Sequence, residues 1–131
     1  MLETGGILLG HKIGILWIIM DVIPSGKDAF RSPYHFSMDE AYANTAVAAA
    51  LEHHPTYRVF GIWHKHNHNL RPSFSDDDMN TNFAFAKLNP FGAISLLASK
   101  VESHYLLQAI YCTPQKKTYP TIILSHGKII P

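Results

Sequence analysis

The sequence lacks the features that define several classes of protein. One cysteine, Cys112, occurs among 131 residues, so an intramolecular disulfide is excluded and a reducing compartment is favoured. The longest apolar run, Ile13 to Met20, falls short of the roughly 20 residues that a membrane-spanning helix needs. No charged start or small-residue cleavage site marks this run as a signal peptide. We therefore expect a cytoplasmic protein without a membrane-spanning segment.

Neither sign of charge is in excess. The chain has 11 basic and 10 acidic residues, a net charge of +1, and no stretch concentrates either sign. A nucleic-acid-binding surface needs a basic patch or stripe, which this distribution does not supply. With 47% hydrophobic residues, the chain suits one compact domain covering residues 1–131.

Hydrophobic periodicity and turn residues predict a chain of alternating strands and helices. The predicted elements are strands over 7–9 and 13–23 with a turn among residues 10–14, an exposed loop over 24–36, a helix over 37–53, a strand over 58–66, a helix from about 73 to 89, and strands over 93–99, 105–112 and 121–125. The order β-β-α-β-α-β-β-β predicts an α/β or α+β fold, with a central, partly antiparallel sheet and helices packed on it.

Serines mark both predicted helix starts. Ser37 and Glu40 fit a capping box, in which each side chain bonds the backbone of the other residue. The second helix is expected to begin near Ser73 or Ser75, and its residues 79, 83 and 86 share an apolar face.

Residues 61–78 read GIWHKHNHNLRPSFSDDD and contain the strongest functional signal. His64 and His66 stand two apart in a strand, so both imidazoles project from the same face. Asp76 follows ten residues after the second histidine. Histidine nitrogen and carboxylate oxygen are common zinc ligands, and a site with three protein ligands keeps a fourth position open for water. This pattern indicates a zinc hydrolase.

Three motifs extend this signal over most of the chain: ETGGILLG near the start, GIWHKH at the end of a central strand, and PSFSD at the start of a helix. Together they resemble the JAMM metalloproteases of the MPN domain family, in its JAB-like, prokaryotic branch. The resemblance implies a mixed-sheet, cytidine-deaminase-like MPN fold. It further implies one Zn²⁺ per chain bound by His64, His66 and Asp76, with Glu3 transferring protons and Ser73 stabilising the tetrahedral intermediate.

The resemblance also implies a substrate and partners. The family cleaves peptide or isopeptide bonds at the carboxyl end of ubiquitin and ubiquitin-like proteins, sometimes alongside ubiquitin-activating-like or conjugating-like enzymes. The alternative is a non-catalytic MPN domain that acts as an assembly scaffold. A nucleobase deaminase is excluded, because its zinc site needs a Pro-Cys-x-x-Cys pair and the chain has one cysteine.

The sequence departs from the family pattern in three places. The segment between His66 and Ser73 is one residue short, and Ser75 with Asp78 forms a second Ser-x-x-Asp pair, so Asp77 and Asp78 remain alternative ligands. A third nearby histidine, His68, is expected to face solvent. Only two residues precede Glu3 where the family has a helix, and we expect the apolar surface left near the first strand to promote a homodimer.

Overall fold

A computed structural model describes residues 4–32, 36–66, 74–101 and 103–120. Within these ranges the chain forms a six-stranded sheet, a two-stranded hairpin and two helices, which confirms the predicted mixed α/β class. The elements are β1 (Thr4–Ile13), β2 (Leu16–Pro24), β3 (Phe30–Arg31), β4 (Phe36–Ser37), α1 (Glu40–His53), β5 (Arg58–His66), α2 (Asp76–Leu88), β6 (Ala93–Val101), β7 (His104–Cys112) and β8 (Lys117–Thr118).

The six strands are ordered β2-β1-β5-β6-β7-β8. Strands β5 and β6 are parallel, and the other neighbours in this sheet are antiparallel. Parallel neighbours need a crossover connection, and α2 lies in the segment that makes it. The start of β1 runs beside the end of β5, where Thr4 pairs with Lys65 and Gly5 with His64.

The first two strands form a hairpin whose turn differs from the expected one. β1 continues through Ile13, and the chain reverses at Gly14 and Ile15. Gly14 has a φ of +59°, which a glycine adopts without the steric penalty of a side chain. Gly10, also expected in the turn, instead pairs with Ile19 at a bulge in the hairpin.

Both helices cover the same face of the sheet. α1 packs on a core that contains Ile7 and Leu9 of β1, and α2 packs on one that contains Ala93 and Ile110. Ile7 lies opposite Ile62 in the β1 and β5 pairing, and side chains two apart on a strand share a face, so His64 also points to the helical side.

The opposite face of the sheet has its own apolar cluster. Leu8, Phe60 and Ile94 are buried there, and Trp17 and Trp63 pack against them. The indole of Trp63 also donates a hydrogen bond to the Ile23 carbonyl at 3.2 Å. Trp63 therefore packs against the core on the face opposite the histidines.

The predicted cap of α1 is wrong, although the predicted end of the helix at His53 is confirmed. Ser37 belongs to the β3 and β4 hairpin, where it pairs with Phe30, so its backbone is committed to a strand. Asp39 is the N-cap instead, and its carboxylate accepts a hydrogen bond from the Tyr42 amide at 3.1 Å.

The remaining elements agree with the expected order, with three differences. Residues 24–36, expected to form an exposed loop, contain β3 and the fully buried Ser25. β8 lies between two predicted strands, where no strand was predicted, and the predicted strand over 121–125 falls outside the described residues. Cys112 is fully buried in β7, and burial raises the pKa of its thiol. Within the described ranges, neither helix combines the length and apolar character needed to cross a bilayer.

One edge of the sheet is unusually apolar. β2 is the edge strand, and its outward side chains include Leu16, Met20 and Val22, each at least half exposed. Natural edge strands are commonly protected by charge or by covering elements. The described part of the protein leaves this edge open.

Candidate metal centre

Strand β5 and helix α2 bring two histidines and one carboxylate together. His64 Nδ1 lies 2.7 Å from Asp78 Oδ1, and His66 Nε2 lies 3.2 Å from Asp78 Oδ2. One ligand atom from each residue falls within 4.8 Å of the other two. The imidazole rings are nearly perpendicular, with 4.6 Å between their centroids. The three side chains therefore converge on one point under the start of α2.

A capping box fixes the orientation of Asp78. The helix begins after Ser75, whose hydroxyl accepts a hydrogen bond from the Asp78 amide at 3.1 Å. The Ser75 amide donates in return to Asp78 Oδ2 at 2.8 Å. The carboxylate thus caps the helix and faces the histidines at once, which fixes its rotamer before any ligand binds.

The structure brings Asp78, and not Asp76, to the histidine pair. Asp76 and Asp77 are exposed at the first two positions of α2, whereas Asp78 is 9% exposed. The prediction of Asp76 rested on Ser73 as the cap, but the helix begins two residues later. The signal for the observed residue was present in the sequence as the second Ser-x-x-Asp pair. Glu3, Ser73 and His68 lie outside the described residues.

Burial and hydrogen bonding act on Asp78 in opposite directions. Removal from water raises its pKa, but the hydrogen bonds from His64 and His66, the charge of His64 and the hydrogen bond from the Ser75 amide together outweigh burial. The net effect holds the pKa of Asp78 well below its usual range. The carboxylate is therefore ionised at neutral pH, the form in which it can bind a cation.

The donor set fits zinc. Ligand distances of about 2.0–2.2 Å in a tetrahedral site imply ligand atoms about 3.3 Å apart. The separations of 3.2 Å from His66 and 2.7 Å from His64 are of this size but run to different oxygens of Asp78, so one of these oxygens would need to approach both nitrogens when a cation binds. Two imidazoles with one carboxylate leave a tetrahedral position open.

Buried polar groups continue behind this cluster. Asn82 lies one helical turn after Asp78, is 4% exposed, and its side-chain oxygen accepts a hydrogen bond from the Ser95 hydroxyl. Ser99 pairs with His66 across the parallel strands and is fully buried. The sequence prediction included none of these three, because a polar residue on an apolar helix or strand gives no local sign of its partner.

Comparison with known proteins gives a structural match without a function. No protein-family model matches the chain, and no curated protein matches it. The solution structure of protein DSY2949 from Desulfitobacterium hafniense is similar, with a TM-score of 0.68 and 24% sequence identity over 94% of this chain and 78% of that one. At this identity the likeness extends to the fold alone.

Proposed function

We propose that this protein is a zinc-dependent peptidase or isopeptidase with the MPN fold, of the JAMM type. The observation that carries the proposal is the cluster of His64, His66 and Asp78 on β5 and α2, which is largely shielded from water. It supports the histidine pair expected from the motif, with Asp78 as the third ligand. A zinc ion bound there would acidify water and polarise a scissile carbonyl.

Residues of the chain would bind the cation, transfer the proton and stabilise the oxyanion. His64, His66 and Asp78 hold the cation and leave one position open. Glu3 accepts a proton from water and delivers it to the leaving amine, which requires hydrogen-bond distance to the open position. Ser73 donates a hydrogen bond to the developing oxyanion, an interaction worth about 2.7–4 kcal/mol of the barrier where one such donor has been removed.

The proposed substrate is the carboxyl-terminal tail of a ubiquitin-like protein, joined to its acceptor by a peptide or isopeptide bond. The resemblance in the ETGGILLG, GIWHKH and PSFSD motifs supports this choice. Ubiquitin-activating-like or conjugating-like enzymes are the proposed partners, and the cytoplasm is the proposed compartment.

We also propose that the protein forms a homodimer, because the apolar side chains of β2 are exposed along the edge of the sheet. Sedimentation velocity tests this, and a monomer at all concentrations would exclude it. The second candidate function, a non-catalytic scaffold, is favoured by the same exposed edge. An intact ligand set argues against it, since a scaffold has no need of one.

Incubation with linear fusions of ubiquitin and ubiquitin-like modifiers, with mass spectrometry of the products, tests the activity. We expect cleavage after the modifier tail in the zinc-loaded protein and none after chelation. His64→Ala should lose both zinc and cleavage, whereas Glu3→Ala should keep zinc and lose cleavage. Zinc binding without cleavage of any fusion would favour the scaffold, and absence of zinc binding would exclude the proposed enzyme.

A further inference from the structure

Helix α2 turns a stripe of three buried residues toward the sheet, Asp78, Asn82 and Ala86. They are spaced four apart, and residues four apart on a helix are neighbours on one face. The first supplies the carboxylate of the candidate metal centre, and the last belongs to the apolar cluster that contains Ala93 and Ile110. A polar amide therefore lies between the metal centre and the apolar core.

One hydrogen bond connects this amide to the sheet. The Ser95 hydroxyl donates to Asn82 Oδ1, and the two residues are 3% and 4% exposed. Ser95 shares a face of β6 with Ser99, because alternate residues of a strand point the same way. Ser99 pairs with His66 on the neighbouring strand. The bond therefore ties α2 to the strand that lies directly beside the two histidines.

The other end of the Asn82 amide makes no such contact. Its Nδ2 is buried and has no hydrogen-bond partner within the described part of the chain. A buried donor without a partner costs its desolvation energy, which a leucine on the same helix face would avoid. Asn82 thus contributes a directional contact with Ser95 at a position where an apolar residue would contribute only burial.

Direction matters at this position because a metal ligand belongs to the same helix. A side-chain carboxylate lies roughly 5–6 Å from the axis of an α-helix, so turning α2 by about 10° would move the Asp78 carboxylate by about 1 Å. Zinc ligand distances vary by only about 0.2 Å. Asn82 stands one turn from Asp78 on the same face, and its bond to Ser95 opposes this rotation.

We propose that Asn82 and Ser95 are positioning residues of the metal centre: their hydrogen bond fixes the rotation of α2, so that the Asp78 carboxylate faces His64 and His66 when a cation binds. This inference rests on the metal site of the proposed function and is independent of the substrate. Removal of groups that orient metal ligands typically lowers metal affinity about tenfold to a hundredfold.

Single and double substitutions separate this role from simple packing. Asn82→Leu and Ser95→Ala each remove one partner of the bond and leave the other buried without it. The double variant replaces both partners with apolar side chains, which can return stability nearly to that of the wild type. Ser99→Ala is the matched control: it makes the same change on the same face of β6, and the Ser99 hydroxyl has no hydrogen-bond partner among the residues that the structure describes.

Each protein is first freed of metal by a chelator. Its metal-free Tm, its zinc Kd by isothermal titration, and the visible absorption of Co²⁺ bound in place of zinc are then measured. We expect both single variants to melt below the wild type, and the double variant to recover most of the difference. In all three the zinc Kd should rise about tenfold to a hundredfold, and the cobalt absorption typical of tetrahedral coordination should weaken. Ser99→Ala should keep the wild-type Kd and spectrum.

An Asp78→Asn background tests whether the effect passes through the carboxylate. Substitutions that act through one shared contact are not additive. The Asn82→Leu and Ser95→Ala pair should therefore add little to the rise in zinc Kd that Asp78→Asn causes alone.

A wild-type zinc Kd and cobalt spectrum in the double variant would overturn the positioning role, whatever its Tm, and would leave the proposed function standing. An equal further rise in Kd in the Asp78→Asn background, or an equal rise in Ser99→Ala, would overturn it as well. Wild-type protein that binds zinc and cleaves no modifier fusion would refute the proposed activity alone, because the Kd measurements still decide the positioning role. Wild-type protein that binds no zinc would refute both.

Discussion

Asp78→Asn removes one charge from the proposed zinc site and leaves an oxygen that can still accept the hydrogen bond from the Ser75 amide. Asp76→Asn removes the same charge from the same first turn of α2, at an exposed position. Both variants lose a favourable interaction with the helix dipole, worth about 0.3–1 kcal/mol. In the absence of metal Asp78→Asn also loses the ionic hydrogen bonds from His64 and His66, so each variant is judged by the shift that zinc adds to its own metal-free Tm.

The magnitude follows from ligand binding to the folded state. Free zinc at a hundred times its Kd stabilises that state by about 2.7 kcal/mol. For a chain of this size, that should raise Tm by about 8–14 °C. If loss of the Asp78 carboxylate raises the Kd about a hundredfold, the same zinc concentration contributes about 0.4 kcal/mol. The expected shift for Asp78→Asn is then about 1–2 °C.

Thermal denaturation followed by circular dichroism measures both effects, with each protein first freed of metal by a chelator and then loaded with zinc at one fixed concentration. Wild type and Asp76→Asn should show the full shift, and isothermal titration should give them the same Kd. The assignment is refuted if Asp76→Asn loses the zinc shift while Asp78→Asn retains it. A wild-type protein whose Tm ignores zinc would refute the metal site itself.

Three further outcomes are expected. Gly61→Ala should lower stability by about 1–3 kcal/mol, because its new methyl group would collide with the Ile94 carbonyl; unchanged urea denaturation would contradict the packing. Trp63→Phe should lower it by about 0.5–1.5 kcal/mol through loss of the hydrogen bond to Ile23, and intact stability would show that this bond contributes nothing. In metal-free protein, wild type should be more stable than Asp78→Asn by the full amount above pH 3.8, the ordinary pKa of the carboxyl group, because the folded pKa is depressed. This difference in unfolding free energy should shrink as pH falls below that value, and a difference that grows on acidification would contradict the prediction.

Much of this architecture was predictable from local patterns. Alternation along β5 correctly predicts that His64 and His66 share a face and that Trp63 occupies the other. The helix periods predict the apolar face of α2, and Asn89 ends that helix as expected. These features depend on side-chain spacing within one element, which the sequence contains completely.

The choice of carboxylate was not predictable in this way. Successive residues of an α-helix differ by about 100° in direction, so the two-residue difference between Asp76 and Asp78 turns the side chain to nearly the opposite side. Which serine caps the helix decides between them, and two serines compete. The prediction for α1 was wrong for a similar reason: Ser37 pairs with Phe30 in a hairpin, so Asp39 caps the helix instead.

The three side chains of the candidate metal centre belong to one supersecondary unit, β5 with the following α2, whereas Glu3 is distant from them in the sequence. The proposed cation ligands therefore come from a short contiguous stretch of sequence, and the proposed proton transfer depends on a residue outside it. Gene duplicates could lose the metal through one or two substitutions in that stretch and still inherit an intact sheet. Under the proposed function, such a separation would let a copy of this fold keep its sheet and helices after losing its catalytic metal.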